Sequence, residues 1–432
     1  MSPWVTQPGS AGTVATLTVC LPLKDARMAV RYNFERQNTM PHAGPVRSLT
    51  VRNLLSFGDR PTTVELKNLN VLIGPNGSGK SNLIEVLGLL QSAPKELAAA
   101  ISNGGPIEEW LWKGAKRPPT ASIEAIVDPP MGAMALRYRL AFTRAGFRFQ
   151  ITDECIENEL PLPGKERPYL YFAYVNGRHM LNYKGEERGL RPEEINPQLS
   201  ILAQRKDPEH YPEITYLGDL FARFRLYRDW EFGSLAAVRE PCDASMPVEF
   251  LEEDGSNLGV VLDRLLALPP VKRELLSYLQ TFNQDAADLR TSNQFGKVQT
   301  QLEEKHLTAA IPLTRMSDGT IRWLELLAIL LNPDPPPLVC IEEPELGLHP
   351  DMVHELGKLL LLASTRMQLI VTTHSDSLIE EFGDSPDVVV VCEKEKGASI
   401  FRRLDAERLK AWLEEYSLGA LWTRGQLGGT RW

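Results

Sequence analysis

One stretch in the first quarter of the chain limits the possible folds more than any other. Residues 70–90 read NVLIGPNGSGKSNLIEVLGLL, which is an apolar run, a glycine-rich segment and a helical pattern. The middle segment, residues 74–81, fits the pattern G-x-x-x-x-G-K-[ST] at every position. We therefore predict a strand, a phosphate-binding loop and a helix, in that order.

The residue types in this loop suit the binding of the phosphate groups of a nucleotide. Glycines allow backbone N–H groups to turn inward without a Cβ clash, and the following helix contributes its positive N-terminal end. Lys80 is placed to reach the β- and γ-phosphates, and Ser81 is placed to ligate Mg²⁺. The alternative is a glycine turn without a ligand, which the strand before it and the helix after it disfavour.

Composition and charge restrict the classes of protein that remain. Over 432 residues the hydrophobic fraction is 43% and the charged fraction 24%, which is typical of a globular protein. No run approaches the roughly 20 apolar residues of a membrane span, and no secretory signal is apparent, so we expect a cytoplasmic protein without a membrane partner. The net charge of −9 does not support general nucleic-acid binding, but it allows a local basic surface. The five cysteines are far apart, which indicates reduced thiols.

The rest of the chain divides into segments with different patterns. Residues 1–45 lack periodicity and predict a poorly ordered extension. Short strands are expected from Val46 into the loop, and alternation over residues 121–156 predicts an antiparallel sheet. Residues 155–307 are interpreted as an inserted α+β subdomain, and they contain no sustained heptads.

The predicted insertion contains aromatic residues interleaved with basic ones, first in a hairpin that turns at Asn176-Gly177. Such a pattern can bind nucleic acid. The other interpretation, which is the commoner one, is a packed sheet whose basic side chains are solvated. The basic residues concerned are Arg167, Arg178, Lys184, Arg188, Arg191, Arg223, Arg225 and Arg228.

Three further motifs follow in an order that suits a nucleotide site. Ser317 opens a helical pattern, where it can cap the helix or, with the Gly319 N–H, hold a phosphate. Glu342 and Glu343 end a buried strand, at the edge where ligands sit in parallel α/β sheets, and they suit Mg²⁺ binding and polarisation of an attacking water. His374 ends another such strand, where it can contact the γ-phosphate or have only a structural role.

The combination and order of these motifs resemble the ATP-binding-cassette (ABC) ATPase superfamily. The resemblance rests on the segments GPNGSGKSN, MSDGT, IEEPELGLHP and VTTHS, and it is greatest for the RecF/SMC-like branch, including the ATPase part of OLD-type proteins. It implies an α/β fold, that of a P-loop NTPase of ABC-ATPase type with a mixed parallel sheet, an antiparallel β-subdomain and an α+β insertion. The expected parts are the extension, two lobes of a nucleotide-binding domain, the insertion, and a C-terminal helix and tail, at residues 1–45, 46–154 with 308–402, 155–307 and 403–432.

The same resemblance implies roles for individual residues. ATP and Mg²⁺ are the implied cofactors, and Ser81 and Glu342 are the implied metal ligands. Glu343, His374 and Lys80 are the implied catalytic residues. Ser317 and Gly319 would come from a second copy of the chain, in a homodimer that encloses two ATP molecules. The implied contacts to ATP are Gly74, Asn76, Gly77, Ser78, Gly79, Lys80, Ser81, Asn82, Ser317 and Gly319.

The chain departs from the pattern of the superfamily in two places. Glu342 stands where Asp is more common, and its longer side chain would shift the metal. The glutamine of the Q-loop is not obvious, and Gln91 and Gln150 are the candidates.

The C-terminal part bears on the biological role. It contains no D-x-D pair, so we expect no Toprim nuclease of the kind that OLD-type proteins carry, and it resembles the ends of stand-alone ATPases of this branch. Such ATPases are commonly encoded beside an effector. The resemblance thus implies a dimerising ATPase that acts as a switch or sensor for a separate effector or nuclease, or for DNA, in defence against phages and mobile elements. A RecF-like repair ATPase acting directly on DNA is the alternative, and a cassette that energises a transporter is a third.

Overall fold

The computed structural model describes residues 44–428, with gaps at residues 130–133, 147, 176–177, 184–185, 191–194 and 197. The predicted N-terminal extension, residues 1–45, lies outside the described residues except for its last two positions. Within the described part the chain forms three sheets and twelve α-helices. None of these helices combines the length and the apolar character that crossing a membrane requires.

The strands and helices follow one another in a mixed order along the chain. The strands are β1 (Val46–Arg52), β2 (Thr62–Glu65), β3 (Leu69–Ile73), β4 (Ala121–Val127), β5 (Leu136–Ala145), β6 (Arg148–Pro161), β7 (Pro168–Val175), β8 (Arg178–Tyr183), β9 (Glu186–Leu190), β10 (Arg225–Tyr227), β11 (Cys242–Asp243), β12 (Ala286–Gln294), β13 (Lys297–Glu304), β14 (Ile311–Pro312), β15 (Leu338–Glu342), β16 (Gln368–Thr372), β17 (Val389–Glu395) and β18 (Ala398–Arg403). The helices are α1 (Lys80–Ser92), α2 (Leu97–Asn103), α3 (Ile107–Trp110), α4 (Ile201–Gln204), α5 (Pro212–Ala222), α6 (Leu258–Leu266), α7 (Pro269–Phe282), α8 (Asp318–Leu330), α9 (Pro350–Ala363), α10 (Asp376–Glu380), α11 (Ala406–Leu413) and α12 (Leu418–Thr423).

The first sheet has eight antiparallel strands in the order β2-β1-β4-β5-β6-β7-β8-β9. Along the first part of β4 and the first half of β5, buried residues alternate with partly exposed ones. This alternation is expected where one face of a sheet covers a core and the other faces solvent. The antiparallel sheet predicted for residues 121–156 is therefore confirmed.

The second sheet is the parallel core of the fold. Its order is β10-β15-β16-β3-β17-β18, and every neighbouring pair is parallel except the β17–β18 hairpin. Both β3 and β16 are buried at every residue. Their mostly apolar sequences are typical of parallel strands that helices cover on both faces.

This parallel sheet separates two hydrophobic cores. Val71 and Ile73 of β3 face the core that contains α6, α8 and α9, whereas Leu72 faces the core shared by α1 and the antiparallel sheet. Strand β15 alternates in the same way, with Ile341 on the first side and Cys340 on the second. Because successive side chains of a strand point to opposite faces, one sheet positions the phosphate loop, the two acids and the helices on both sides.

The segment predicted as an inserted subdomain, residues 155–307, is divided among all three sheets. Strand β6 spans the predicted boundary without a break, and β7 to β9 extend the antiparallel sheet. Strand β10 joins the edge of the parallel sheet beside β15. Only β11, β12 and β13, with β14 paired to β13, form a third small sheet. A three-residue strand such as β10 is too short to show a periodic pattern in the sequence, so its place is set by pairing with β15 and could not be predicted.

The hairpin and the C-terminal elements agree with the sequence more closely. Strands β7 and β8 pair from Val175 and Arg178 outward, as the Asn176-Gly177 turn predicted, although the turn residues lie outside the described residues. The two C-terminal strands form the β17–β18 hairpin. The C-terminal helix predicted within residues 403–432 corresponds to α11, which ends at Leu413, and a second short helix, α12, follows it.

Candidate nucleotide site

The phosphate loop connects β3 to α1 and is built around glycines that no other residue can replace. Gly74 has φ 152° and Gly79 has φ 107°. A Cβ atom on Gly74 would lie 2.2 Å from the Cys392 carbonyl oxygen, and one on Gly79 would lie 2.2 Å from Ser399 Oγ. The backbone thus passes so close to β17 and β18 that only glycine fits.

The remaining loop residues lie around the mouth of this turn. Asn76 and Gly77 are exposed, Ser78 is buried, and Asn82 is half-buried in the first turn of α1. The buried Ser78 hydroxyl has no hydrogen-bond partner within the described residues. A turn of glycines opening onto a helix N-terminus fits an anionic phosphate.

Lys80, the first residue of α1, is buried with its ammonium folded back over the loop. Its Nζ donates to the carbonyl oxygens of Gly74 at 2.8 Å and of Pro75 at 3.2 Å. Burial lowers the pKa of this ammonium, and the nearby Cys392, Glu343 and Glu342 act in the opposite direction. The charge therefore lies within the field of the two acids predicted for the site.

Glu342, at the end of β15, meets the loop helix directly. Its Oε2 accepts a hydrogen bond from Ser81 Oγ at 3.2 Å, and its Oε1 lies 3.1 Å from Arg228 Nε. Burial raises the pKa of Glu342, and Arg228 and Ser81 oppose that effect. The two predicted metal ligands, which are 261 positions apart in the chain, are thus adjacent.

A hydroxyl and a carboxylate oxygen side by side suit a magnesium ion. Within the described residues no group of three or more His, Cys, Asp and Glu side chains could hold a metal by itself. Ser81 and Glu342 would therefore hold Mg²⁺ jointly with phosphate oxygens and water, as is usual for this ion in nucleotide sites. The donor set and the glycine turn both fit a nucleotide with its metal.

Glu343 and His374 are brought together on the same edge of the sheet. His374 Nε2 lies 3.9 Å from Glu343 Oε1, and both side chains are partly exposed. Glu343 has φ 45°, an unusual value for a non-glycine residue. Its N–H donates to Thr372 O at 3.0 Å, and its carbonyl accepts from Arg322 Nη2 at 3.3 Å, so its backbone is held on both sides.

Glu345 is a half-buried glutamate that sequence reasoning did not single out. Its Oε1 accepts from Thr373 Oγ1 at 2.5 Å and from the His374 N–H at 3.2 Å. Burial raises its pKa, and the hydrogen bonds from Thr373 and His374 oppose that effect. Glu345 therefore fixes the backbone on which His374 stands.

The predicted signature residues lie at the start of α8. Ser317 Oγ accepts from the Thr320 N–H at 3.1 Å, so the capping role predicted for Ser317 is present. A Cβ on Gly319 would come 3.0 Å from the Gly347 carbonyl oxygen, which places the signature against residue 347 of the same chain. No hydrogen bond in the described part of the chain joins Ser317 to residues 74–81.

Arg239 ties this signature to the segment after β10. Its Nη2 donates to Asp318 at 2.5 Å and its Nη1 to the Met316 carbonyl at 2.8 Å, while the Gly233 N–H also donates to Asp318. The hydrogen bond from Arg239 is the main cause that lowers the pKa of Asp318. No sequence motif marks Arg239 or Gly233, because their partners are about 80 positions away.

Among the described residues, neither candidate Q-loop glutamine forms a hydrogen bond with Glu342 or Glu343. Gln91 Nε2 donates to Phe224 O at 2.9 Å and to Glu253 Oε1 at 3.2 Å, and it lines a polar cavity of about 520 Å³. Gln150 lies within β6, opposite Thr143 of β5. Arg228 and Trp230 instead contact Glu342. Trp230 Nε1 donates to the Glu342 carbonyl oxygen at 2.9 Å.

The basic residues that suggested nucleic-acid binding do not share one environment. Arg228 contacts Glu342 and Glu85, and Arg225 packs over the Phe250 ring at 4.9 Å. Arg223 also lies over that ring and 4.0 Å from Asp334. Arg167 and Arg178 are exposed, and the side chains of Lys184, Arg188 and Arg191 lie outside the described residues.

Comparison with known proteins places this geometry in context. The family model AAA_21, "AAA domain, putative AbiEii toxin, Type IV TA system", matches residues 69–380, which is more than half of the chain and includes the loop, both acids and His374. The chromosome partition protein Smc of Mycolicibacterium paratuberculosis is 32% identical over 108 residues, which are 24% of this chain and 9% of that protein. The Smc protein of Mycobacterium tuberculosis gives the same identity and coverage. The chain thus spans less than a tenth of the length of these relatives.

Solved structures extend the likeness to the fold as a whole. An SMC head bound to the C-winged helix domain of ScpA has a TM-score of 0.53 at 15% identity, over 85% of this chain and 99% of that one. An SMC head with an extended coiled coil, bound to the C-terminal domain of ScpA from Pyrococcus furiosus, has a TM-score of 0.52 at 14% identity, over 86% and 99%. The fold is therefore that of SMC head domains, and the predicted α/β fold class of the ABC-ATPase type is confirmed.

Proposed function

Because the chain belongs to the AAA_21 family of AAA domains, we propose that it binds and hydrolyses ATP with Mg²⁺ at the site around residues 74–82. The observation that carries this proposal is the contact between Ser81 and Glu342, which lie 3.2 Å apart beside the buried Lys80. A structural turn would not need a hydroxyl, a carboxylate and a buried ammonium at one point. Those three groups together suit a metal-bound triphosphate.

Each group has a role that follows from its position. The loop N–H groups and Lys80 hold the phosphates, and Ser81 and Glu342 hold the metal. The magnesium ion neutralises phosphate charge when it is bound. Glu343 accepts a proton from the attacking water, and His374, 3.9 Å from its carboxylate, orients that water or the γ-phosphate. The clamped backbone of Glu343 keeps its carboxylate in place for this step.

The proposal includes a head-to-tail homodimer. Ser317 is exposed and has its hydroxyl directed to its own helix, and in the described residues it makes no hydrogen bond to its own phosphate loop. A second copy of the chain would bring its Ser317 and Gly319 to the γ-phosphate and complete the site. Twofold symmetry would then form two such sites at once.

We further propose that closure and opening of this dimer control a separate effector, such as a nuclease or toxin, in defence against phages or mobile elements. The description of the matched family, with its putative toxin and type IV TA system, supports this role. ATP binding would favour the closed dimer and hydrolysis would release it, so the occupancy of the site would set the state of the partner. We also propose that the protein performs this role in the cytoplasm.

The switch is tested by trapping the closed state. Glu343→Gln leaves binding intact but removes the proton acceptor, so we expect it to form a stable dimer with saturating ATP and Mg²⁺. Light scattering after gel filtration measures the mass. A variant that stays monomeric under these conditions would show that the switch model is wrong.

Lys80→Ala is the control for the site itself. It removes the ammonium that holds the phosphates, so we expect both ATP-dependent dimerisation and ATP hydrolysis to be lost. Turnover by purified Lys80→Ala at the wild-type rate would mean that hydrolysis occurs elsewhere.

Direct action on DNA, as in RecF-like repair ATPases, is the second candidate function. The exposed Arg167 and Arg178 and the likeness to chromosome partition proteins support it. Binding through these residues would weaken as the salt concentration rises. A filter-binding titration that detects no ATP-dependent retention of DNA would remove this candidate.

A further inference from the structure

We propose that Arg228 is a positioning residue that holds Glu342 in the orientation required for metal binding, and so sets how strongly Mg²⁺ strengthens ATP binding. This inference rests on the proposed function. Arg228 immediately follows β10, the strand that pairs with β15. The pairing sets the guanidinium beside the carboxylate with which β15 ends.

The contacts divide the two oxygens of Glu342 between two partners. Arg228 Nε lies 3.1 Å from Oε1, and Ser81 Oγ donates to Oε2 at 3.2 Å. With each oxygen engaged, the carboxylate cannot rotate without losing a charge-assisted hydrogen bond. The oxygen that faces Ser81 is the one available to a metal, and Arg228 keeps it there.

Arg228 is itself anchored on the loop helix. Its Nη2 donates to Glu85 Oε1 at 3.1 Å, and Glu85 lies one turn beyond Ser81 on α1. The planar guanidinium can therefore span α1 and β15 at a fixed distance, which the point charge of a lysine does not do. The side chain is half-buried, with 32% of its surface exposed, so solvent only partly screens these contacts.

Trp230 also contacts Glu342, through the backbone of that residue. Its Nε1 donates to the Glu342 carbonyl oxygen at 2.9 Å, and its ring lies under the Arg322 guanidinium. The backbone of Glu342 is thus fixed by Trp230 and the side chain by Arg228. This division of tasks makes Arg228 the residue whose removal frees the carboxylate without displacing the strand.

The experiment measures the affinity for a non-hydrolysable fluorescent ATP analogue, once with Mg²⁺ and once with EDTA. In the wild type we expect Mg²⁺ to strengthen binding clearly. In Arg228→Met we expect the affinity with Mg²⁺ to fall by about tenfold, the effect of one lost charge-assisted hydrogen bond, and the affinity in EDTA to change far less. An equal fall in both conditions would overturn the inference, because it would indicate general loss of charge or structure.

Two further variants separate geometry from charge. Arg228→Lys retains the positive charge but not the forked guanidinium. We therefore expect it to restore less than half of the Mg²⁺-dependent gain in affinity that Arg228→Met loses. Glu85→Gln weakens the anchor and should give an intermediate loss. Full restoration by Arg228→Lys would show that charge alone is needed and would overturn the positioning role.

The matched control is Arg225→Met, on the same short strand. Arg225 donates to the Ala222 and Phe224 carbonyls and packs on Phe250, away from both acids. We expect it to leave the Mg²⁺ effect unchanged. If the wild type itself binds no ATP, the proposed function fails. If the wild type shows the Mg²⁺ effect and Arg228→Met shows it equally, only the role of Arg228 is wrong.

Discussion

Glu343 shows how a single residue can be held in a conformation that its sequence does not favour. Its φ of 45° lies in the left-handed region. A residue with a Cβ atom adopts this conformation only at a cost in free energy. Hydrogen bonds from its N–H to Thr372 and from Arg322 to its carbonyl offset that cost. The result is a carboxylate directed toward His374 at the exposed edge of the sheet. Strain of this kind is typical of functional sites.

Glu154 is a second residue whose environment has a measurable consequence. It is fully buried and accepts hydrogen bonds from Tyr138 OH, Ser200 Oγ and the Ile201 N–H. Burial raises its pKa from 4.5 to about 7. Its contribution to stability is therefore complete below pH 4.5 and is lost as the pH rises toward 7 and beyond. We expect this group to cost roughly 1–3 kcal/mol of unfolding free energy between pH 5 and pH 8.

Glu154→Gln tests this contribution. The Gln carbonyl can accept from the Ile201 N–H, and its amide can donate to the hydroxyls of Tyr138 and Ser200, which rotate to accept. We expect the variant to be more stable than the wild type at pH 8 relative to pH 5, as measured by the midpoint of urea unfolding. Identical pH profiles for the two proteins would contradict the shift, and the comparison cancels the titration of all other groups.

At the scale of elements, the β17–β18 hairpin packs against the phosphate loop. Ser399 Oγ donates to Ser78 O at 2.6 Å, and it lies 2.7 Å from Ser56 Oγ, whose hydroxyl can donate to it. Ser399 is completely buried against Gly79. We expect Ser399→Ala to weaken ATP binding by roughly threefold to tenfold, through the lost hydrogen bond. Ser399→Val should weaken it by more than about tenfold, because the added methyl group presses on Gly79.

Calorimetric titration with ATP measures these affinities, and thermal unfolding shows whether the variants fold. The matched control is Arg402→Ala on the same strand, where the side chain is mostly exposed and pairs with Glu393. We expect it to bind ATP as the wild type does. Wild-type affinity in Ser399→Val would mean that the hairpin does not set the loop conformation.

Elements with a strong period or a local motif could be predicted from the sequence, and those fixed by distant pairing could not. The loop, α1 and α8 carry their own pattern of apolar residues and caps, and the structure contains all three. Strand β10 has only three residues, and its place beside β15 depends on a partner more than 100 positions away. The same dependence explains why the strands of the segment predicted as an insertion belong to three different sheets.

The same distinction between local motifs and distant contacts applies to the residues of the candidate site. Ser81, Glu342 and His374 stand in motifs, so their types and order indicated them before their contacts were known. No orienting role was predicted for Glu345, although it stands within IEEPELGLHP, or for Arg228, which was considered only for nucleic-acid contact. Only the fold brings Arg228 to Glu342 and Glu345 to the His374 backbone. Sequence patterns thus identify the groups proposed to contact the substrate more readily than the groups that orient them.

At the scale of the whole molecule, the main question is which chain supplies the signature to each phosphate loop. Within the described residues Gly319 packs against residue 347, and Ser317 bonds only to its own helix. If ATP sites form between two chains, each site takes its loop from one chain and its Ser317 from the other. A chain with a defective loop and a chain with a defective signature would then complement each other.

Mixing two inactive variants tests this arrangement. Lys80→Ala removes the phosphate contact of the loop, and Ser317→Asp places a negative charge against the γ-phosphate while keeping a good helix cap. Each variant alone should be inactive. If the two variants pair at random in an equal mixture, half of the dimers are mixed, and one of the two sites in each mixed dimer contains a native loop with a native signature. We therefore expect about one quarter of the wild-type ATPase rate.

The outcome discriminates between the two arrangements because sites within one chain cannot be rescued by mixing. A mixture that remains as inactive as its components would place Ser317 and Lys80 in the same chain's site, or would exclude Ser317 from the reaction. Ser317→Asn is the matched control, since it caps the helix equally well without a charge. It should retain more activity alone than Ser317→Asp, which would show that the charge of Asp, and not loss of the cap, causes the additional loss.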